Sequence, residues 1–302
     1  MGRRIAAATI SKPPFRNESY EPSGTYIMKY AVAGLVLLLS LTSWSANVVP
    51  DKVAEIVRRS VSNTNADWDA APQFDFTERD VVTGHGKRTE KTYEVTMIAG
   101  SPYNKLIAMN GEKLSPVQAA QEDRKLAEET NRRRNESSAA KQKRIAAYQK
   151  ERHQDHALMS EMVKAFDFKM SGEDTINGHR CFVLDATPKA GYNPPSRETQ
   201  VLTGMRGTMW VDLQAYQWAK VHAEVFRPVT FGLFFAQVKP GTQFTLEQNP
   251  VRGNLWLPSH FSMAVNARVF VASRRSTDDE TYSDYRLSTD ASGKPTGQTR
   301  KE

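Results

Sequence analysis

Two runs near the end of the chain alternate with a period of two. Ala219, Val221, Ala223 and Val225 alternate with Lys220, His222 and Glu224, and Met263, Val265, Ala267, Val269 and Val271 alternate with Ser262, Asn266 and Arg268. Successive strand residues point to opposite faces, so each run predicts a long strand with one apolar side. Long, sequential, one-sided strands fit a large antiparallel sheet whose greasy face must be covered. Shorter alternations extend the pattern upstream. Phe74 and Phe76 alternate with Asp75 and Thr77, and Tyr93, Val95 and Met97 with Thr92, Glu94 and Thr96. Gly84 to Gly86 predicts the turn between them, and Pro102 a break before a strand around Lys105 to Met109. Strand patterning resumes at Phe166, Phe168 and Met170, and Asn177-Gly178 is a hairpin signal. Ala186 to Thr203, with Pro188, Pro194 and Pro195, reads as an irregular connection.

Helical signals supply the cover. Pro50-Asp51 opens a segment in which Val53, Ile56, Val57 and Val61 share one face, with Asn63 to Asn65 expected to end it. Ser115-Pro116-Val117-Gln118 combines an N-cap serine, a first-turn proline and a glutamine placed to reach back. The charged stretch from there to about Lys164 predicts two helices, broken at Arg132-Arg133-Arg134 and Asn135 to Ser138. Leu158, Met159, Met162 and Val163 form an apolar stripe on the second helix. Acidic residues interleave with the basic ones, which favours a solvated face of an inserted hairpin over a membrane or partner contact. The expected fold is therefore α+β: a large curved antiparallel sheet, an open half β-barrel, with helices over its concave face. The domain is expected over 46–287, with a helical insertion at 115–164 and a disordered tail at 288–302.

Met28 to Ser45 reads as an export signal. Lys29 gives a positive start, Ala31 to Leu41 an apolar run, and Ser43-Trp44-Ser45 small residues at the positions a signal peptidase reads. Cleavage between Ser45 and Ala46 is expected, with an uncleaved membrane anchor as the alternative. Residues 1–27 precede Met28, a plausible translation start, and are set aside from the fold. The whole chain carries 41 Lys+Arg against 34 Asp+Glu. Without residues 1–45 (Arg3, Arg4, Lys12, Arg16, Lys29; Glu18, Glu21) this becomes 36 against 32, a charge of +4. So mild and dispersed an excess argues against nucleic acid. The lone Cys181, in the apolar run Cys181 to Leu184, reads as a small buried hydrophobe.

Catalytic signals are weak. There is no Gly-x-Ser-x-Gly, His-Glu-x-x-His or Cys-x-x-Cys pattern. His153 and His156 lie three apart near Glu151 and Asp155, a chance spacing in a charged helix, so no metal is assigned to them. Asp212 and Glu224 sit on strands with nothing pairing them as acid and base. No cofactor is expected. Phe231, Leu233, Phe234 and Phe235, between Pro228 and Lys239-Pro240-Gly241, form either a cavity mouth or a strand buried under a helix. Trp210, Trp218 and Trp256 read first as sheet-packing residues, with Trp210 and Trp256 kept as candidates for a hydrophobic cavity.

Gly207-Thr-Met-Trp210-Val-Asp212 and Gly253-Asn-Leu-Trp256-Leu-Pro258 repeat one local pattern, each read as a glycine turn feeding a strand with a central tryptophan. Between them run Gln217-Trp218-Ala-Lys220 and the unit from Phe231 to Phe244. This series resembles the outer-membrane lipoprotein-sorting, or LolA-like, superfamily, best over 207–287 and fairly over 73–114. The resemblance implies an unclosed barrel plugged by helices, a hydrophobic cavity for acyl chains and a periplasmic location. The expected function is thus a non-catalytic, exported carrier or binding protein for lipid or an acylated protein, with transient membrane contact. The alternatives are an envelope sensor or scaffold binding a protein partner on the same fold, or an enzyme whose site is assembled from several strands.

Overall fold

The computed structural model describes residues 51–84, 86–196, 198–231, 236–269 and 272–289. The export segment, residues 1–27, Leu233 to Phe235 and the chain beyond 289 lie outside the described residues. Helix α1 (Lys52–Ala70) is followed by β1 (Phe74–Gly84), β2 (Lys87–Ile98), β3 (Ser101–Met109) and the short β4 (Glu112–Lys113). The helical hairpin α2 (Pro116–Arg134) and α3 (Ser138–Ala165) comes next, then β5 (Phe166–Ile176), β6 (His179–Pro188), β7 (Met205–Asp212) and β8 (Trp218–Val225). The chain continues through β9 (Val229–Phe231), β10 (Ala236–Val238), β11 (Gln243–Arg252), β12 (Leu255–Val269) and β13 (Ala272–Leu287). No helix among the described residues is long and apolar enough to cross a membrane.

All thirteen strands join one sheet in the order β4-β3-β2-β1-β13-β12-β11-β8-β7-β6-β5, and β4 and β5 do not pair, so the sheet is open. Beside this path, β10 pairs with the far half of β12 and with β9. The chain segment linking the two free edges is the α2–α3 hairpin. Helix α3 meets the β2–β3 turn, where Arg144 Nη1 donates to Ser101 Oγ at 2.7 Å. Its other end packs Met159 and Ala165 into the core beside β5 to β8. It therefore runs from one edge of the open sheet to the other.

The helix starts follow their local signals. Asp51 Oδ1 accepts from the Val53 amide, and Ser115 and Gln118 form the reciprocal capping box. The expected end at Asn63 to Asn65 is overridden, and α1 runs on to Ala70. Asn63 Nδ2 donates to the carbonyls of Ala215 and Tyr216, and His156 Nε2 meets Asn65 Oδ1 at 2.8 Å. Tertiary partners thus occupy the side chains that would otherwise stop the helix. The strand expected from Lys105 begins at Ser101, with Pro102 inside it. Gly207 is not a turn residue but lies within β7, where a Cβ would come within 2.4 Å of the His222 carbonyl oxygen. Gly253 does occupy the β11–β12 turn, at φ +58°. Ser288, expected in a disordered tail, is fully buried and its hydroxyl donates to Asp75.

The helix-covered face carries three apolar clusters. Ile56 and Val57 of α1 and Met159 of α3 pack on Phe182, Leu184, Met209, Val211, Trp218 and Val221. Ala165 joins Phe166, Val201, Leu202, Met205 and Val225 in the second. Phe76, Val95, Leu246, Phe261 and Tyr282 make the third, across β1, β2 and β11 to β13. A fourth cluster, on the other face, joins Ala219 to Trp256 and to the fully buried Cys181, whose thiol burial pushes up to about 11. Ala219 thus does not share the face of Val221, Ala223 and Val225 as expected, because the β7–β8 register shifts between Trp210 and Val211 and leaves it in a bulge.

Candidate functional site

The strands of the helix-covered face place a row of half-buried apolar side chains between the three clusters. Phe244 on β11 is in contact with all three, and Phe168 and Met162 each touch the first and second. Met263, Tyr93 and Tyr285 flank the third cluster. All of these side chains remain partly accessible to water. This is an apolar strip on the helix-covered face, neither sealed as core nor presented as outer surface.

The sequence-predicted residues fall in different places. Trp256 is 2% exposed, packed with Cys181 and Ala219, and edge-on to His179 at 4.6 Å between ring centroids. Trp210 alternates with Met209 and Val211, so it points away from the helices. Its indole N–H donates to Asp174 Oδ2 at 3.2 Å, and the Lys220 ammonium stands 5.7 Å from the ring centroid. Trp218 faces the helices and donates to Ser60 Oγ at 3.0 Å, which pins α1 to the sheet. Phe231 ends β9, which pairs with β10 through Ala236 opposite Phe231; Leu233, Phe234 and Phe235 lie outside the described residues.

Asp212, singled out as a strand carboxylate, works as a turn acceptor. Its Oδ1 takes the Gln214 amide at 2.9 Å and the Ala215 amide at 2.5 Å. Glu224 accepts from Arg206 Nε at 2.7 Å on the outer face. His156 stacks on Trp68 at 5.5 Å, and burial lowers its pKa. It is a contact between α3 and α1, with Asn65 Oδ1 at 2.8 Å from its Nε2.

Sequence reasoning missed the carboxylates on the helix-covered face. Glu78, Asp80, Asp278 and Glu280 share that face through the register Glu78↔Tyr282, Asp80↔Glu280 and Val82↔Asp278. Glu78 is 3% exposed, and burial, with the charges of Glu280, Asp80 and Asp278, pushes its carboxyl up to about 8. The Tyr282 hydroxyl donates to Glu280 Oε2. Two clefts elsewhere have polar linings. Arg58, Arg59, Asn63, Gln214 and Asn254 line one of about 300 Å³; Lys189, Tyr192, Thr203 and Arg227 line another of about 340 Å³.

No family model matches the chain, and no curated protein matches it. Among solved structures it is similar to a DUF1329 family protein from Desulfovibrio piger, at 13% identity and a TM-score of 0.32, covering 78% of this chain and 93% of that one. It is similar to a LolA superfamily protein from Nitrosomonas europaea at 11% identity and a TM-score of 0.30, with 78% and 93% covered. A putative outer membrane lipoprotein-sorting protein domain from Vibrio parahaemolyticus follows at 10% identity and a TM-score of 0.31, with 80% and 95% covered. The open antiparallel sheet under helices is established by this chain's own strand order and packing, independently of those likenesses.

Proposed function

We propose that the chain is a non-catalytic binding protein of the cell envelope that holds a lipid or the acyl chain of an acylated protein on its helix-covered face. The observation that carries this reading is the half-buried strip centred on Phe244, which touches three core clusters yet stays partly accessible. An acyl chain laid there removes apolar area from water without new polar partners, worth about 25 cal/mol per Å². The bridging helix α3 is the element that would move to admit it. Phe231, Leu233, Phe234 and Phe235 extend the proposed site as its mouth, and export through Met28 to Ser45 belongs to the same proposal.

The test uses a fluorescent fatty-acyl probe and native mass spectrometry of protein purified from membranes. Phe244→Ala is expected to weaken the probe by about tenfold, or 1.4 kcal/mol. Urea unfolding of the same variant checks that the domain stays folded. A folded Phe244→Ala protein that binds the probe as tightly as wild type removes the strip from the site.

A further inference from the structure

The four carboxylates beside the third cluster are not explained by acyl binding, and burying like charges together is costly for a fold. Asp80, Asp278 and Glu280 offer one oxygen each with all three within 4.8 Å of one another. Glu78 is independent of that trio. Its Oε2 is buried and makes no hydrogen bond, and the side chain is 3% exposed. It shares the β1 face with Asp80, two positions on, and stands diagonal to Glu280 across the β1–β13 ladder. Asp80 and Asp278 are only half-buried, which leaves a route from solvent.

We infer that Glu78, Asp80, Asp278 and Glu280 form a site for a hard divalent cation that ties β1 to β13, the strand pair joining the two ends of the domain. The donors are all oxygen, with no His or Cys among them, which favours calcium or manganese over zinc or copper. Calcium takes about 6–8 oxygen ligands in a flexible shell, whereas magnesium demands near-ideal octahedral geometry and gives up its waters reluctantly, so carboxylate oxygens within 4.8 Å of one another suit calcium better. Basic neighbours on this face are few. Lys91 lies opposite Asp80 in the ladder and makes no ion pair among the described residues. Arg274 lies four positions before Asp278 on β13, on the same face.

The experiment titrates the chelator-treated protein with Ca²⁺ by calorimetry and with Tb³⁺ by luminescence, since the Tyr282 phenol beside Glu280 can sensitise a bound lanthanide. One ion per chain is expected, with Ca²⁺ raising the melting temperature. Asp80→Asn/Asp278→Asn should weaken Ca²⁺ at least tenfold and abolish its thermal effect. Glu78→Gln is the second variant and should also weaken Ca²⁺, so the inference remains testable if the double variant fails to accumulate. No saturable Ca²⁺ or Tb³⁺ binding up to about 10 mM, beyond the weakest extracellular calcium modules, would overturn the inference. So would binding that neither variant changes.

Discussion

Arg133 is the side chain that holds the helical hairpin on the sheet, and its replacement offers a sharp test of how the open edge is bridged. It stands in the last turn of α2 and is 7% exposed. Its Nη1 donates to the carbonyls of Ile98 at 3.0 Å and Ser101 at 2.7 Å and to Ser101 Oγ at 3.2 Å. Its Nη2 reaches the Pro102 carbonyl at 3.1 Å, and Nε reaches Glu129 Oε1 at 2.5 Å. In Arg133→Met the Glu129 carboxylate keeps Arg132, whose Nε and Nη2 donate at 2.7 and 2.6 Å. The loss therefore falls on the three carbonyls of the β2–β3 turn. At about 1 kcal/mol for each acceptor left without a donor, the cost is about 3 kcal/mol, within the range for breaking a buried charged contact. Arg133→Lys should recover less than half of this, because one ammonium cannot span acceptors on both guanidinium nitrogens. Arg132→Ala, with a side chain 55% exposed, should cost less than about 1 kcal/mol. Urea unfolding gives the energies, and hydrogen exchange at Ser101 and Tyr103 reports whether the hairpin detaches before the sheet unfolds. A loss below 1 kcal/mol in Arg133→Met with unchanged exchange would refute this account.

Two other residues give independent tests. Asp67 in α1 is 4% exposed, and burial pushes its carboxyl up from 3.8 to about 7, against hydrogen bonds from the Trp256 backbone and Gln217. The folded state thus holds the proton more tightly than the unfolded one, so this group's contribution to stability falls as pH rises from about 4 to 7 and is flat above. Relative to wild type, Asp67→Asn should gain about 4 kcal/mol more at pH 8 than at pH 4, at about 1.4 kcal/mol per pKa unit, and melting curves that differ by a constant amount across that range would exclude it. Gly207→Ala should cost about 1–3 kcal/mol, because a Cβ would meet the His222 carbonyl oxygen at 2.4 Å and the backbone of β8 must move. An equally stable variant in chemical denaturation would show that β7 and β8 can separate without penalty.

How much of this was legible depends on whether the deciding partner was near in sequence. The runs at Val221–Val225 and Met263–Val269 lie on β8 and β12, because alternation is a property of the segment itself, whereas the bulge that turns Ala219 to the other face is set by pairing with β7. The capping box at Ser115 and Gln118 and the turn at Asn177-Gly178 are local in the same way. Arg133 carried no such mark. Within Arg132-Arg133-Arg134 it is one basic residue among three, and it is buried only because the carbonyls of Ile98 and Ser101, more than thirty positions earlier, come under it. The length of α1 was hidden for the same reason, since Asn63 and Asn65 find partners at Ala215, Tyr216 and His156.

The carboxylate cluster shows the limit most clearly. Glu78 and Asp80 continue the face that begins with Phe74 and Phe76, so on β1 one side changes from aromatic to acidic halfway along. Read alone, that change looks like a strand leaving its core for solvent. Glu78 is nevertheless 3% exposed. What encloses it is β13, about two hundred positions later, whose register sets Tyr282 opposite Glu78 and Glu280 opposite Asp80. Neither strand announces the other, because a polar residue on a strand carries no sign of which sheet neighbour it will meet. The pairing of the first and last strands creates this acidic site, and the outcome of the Ca²⁺ titration is therefore a statement about that pairing as much as about the four side chains.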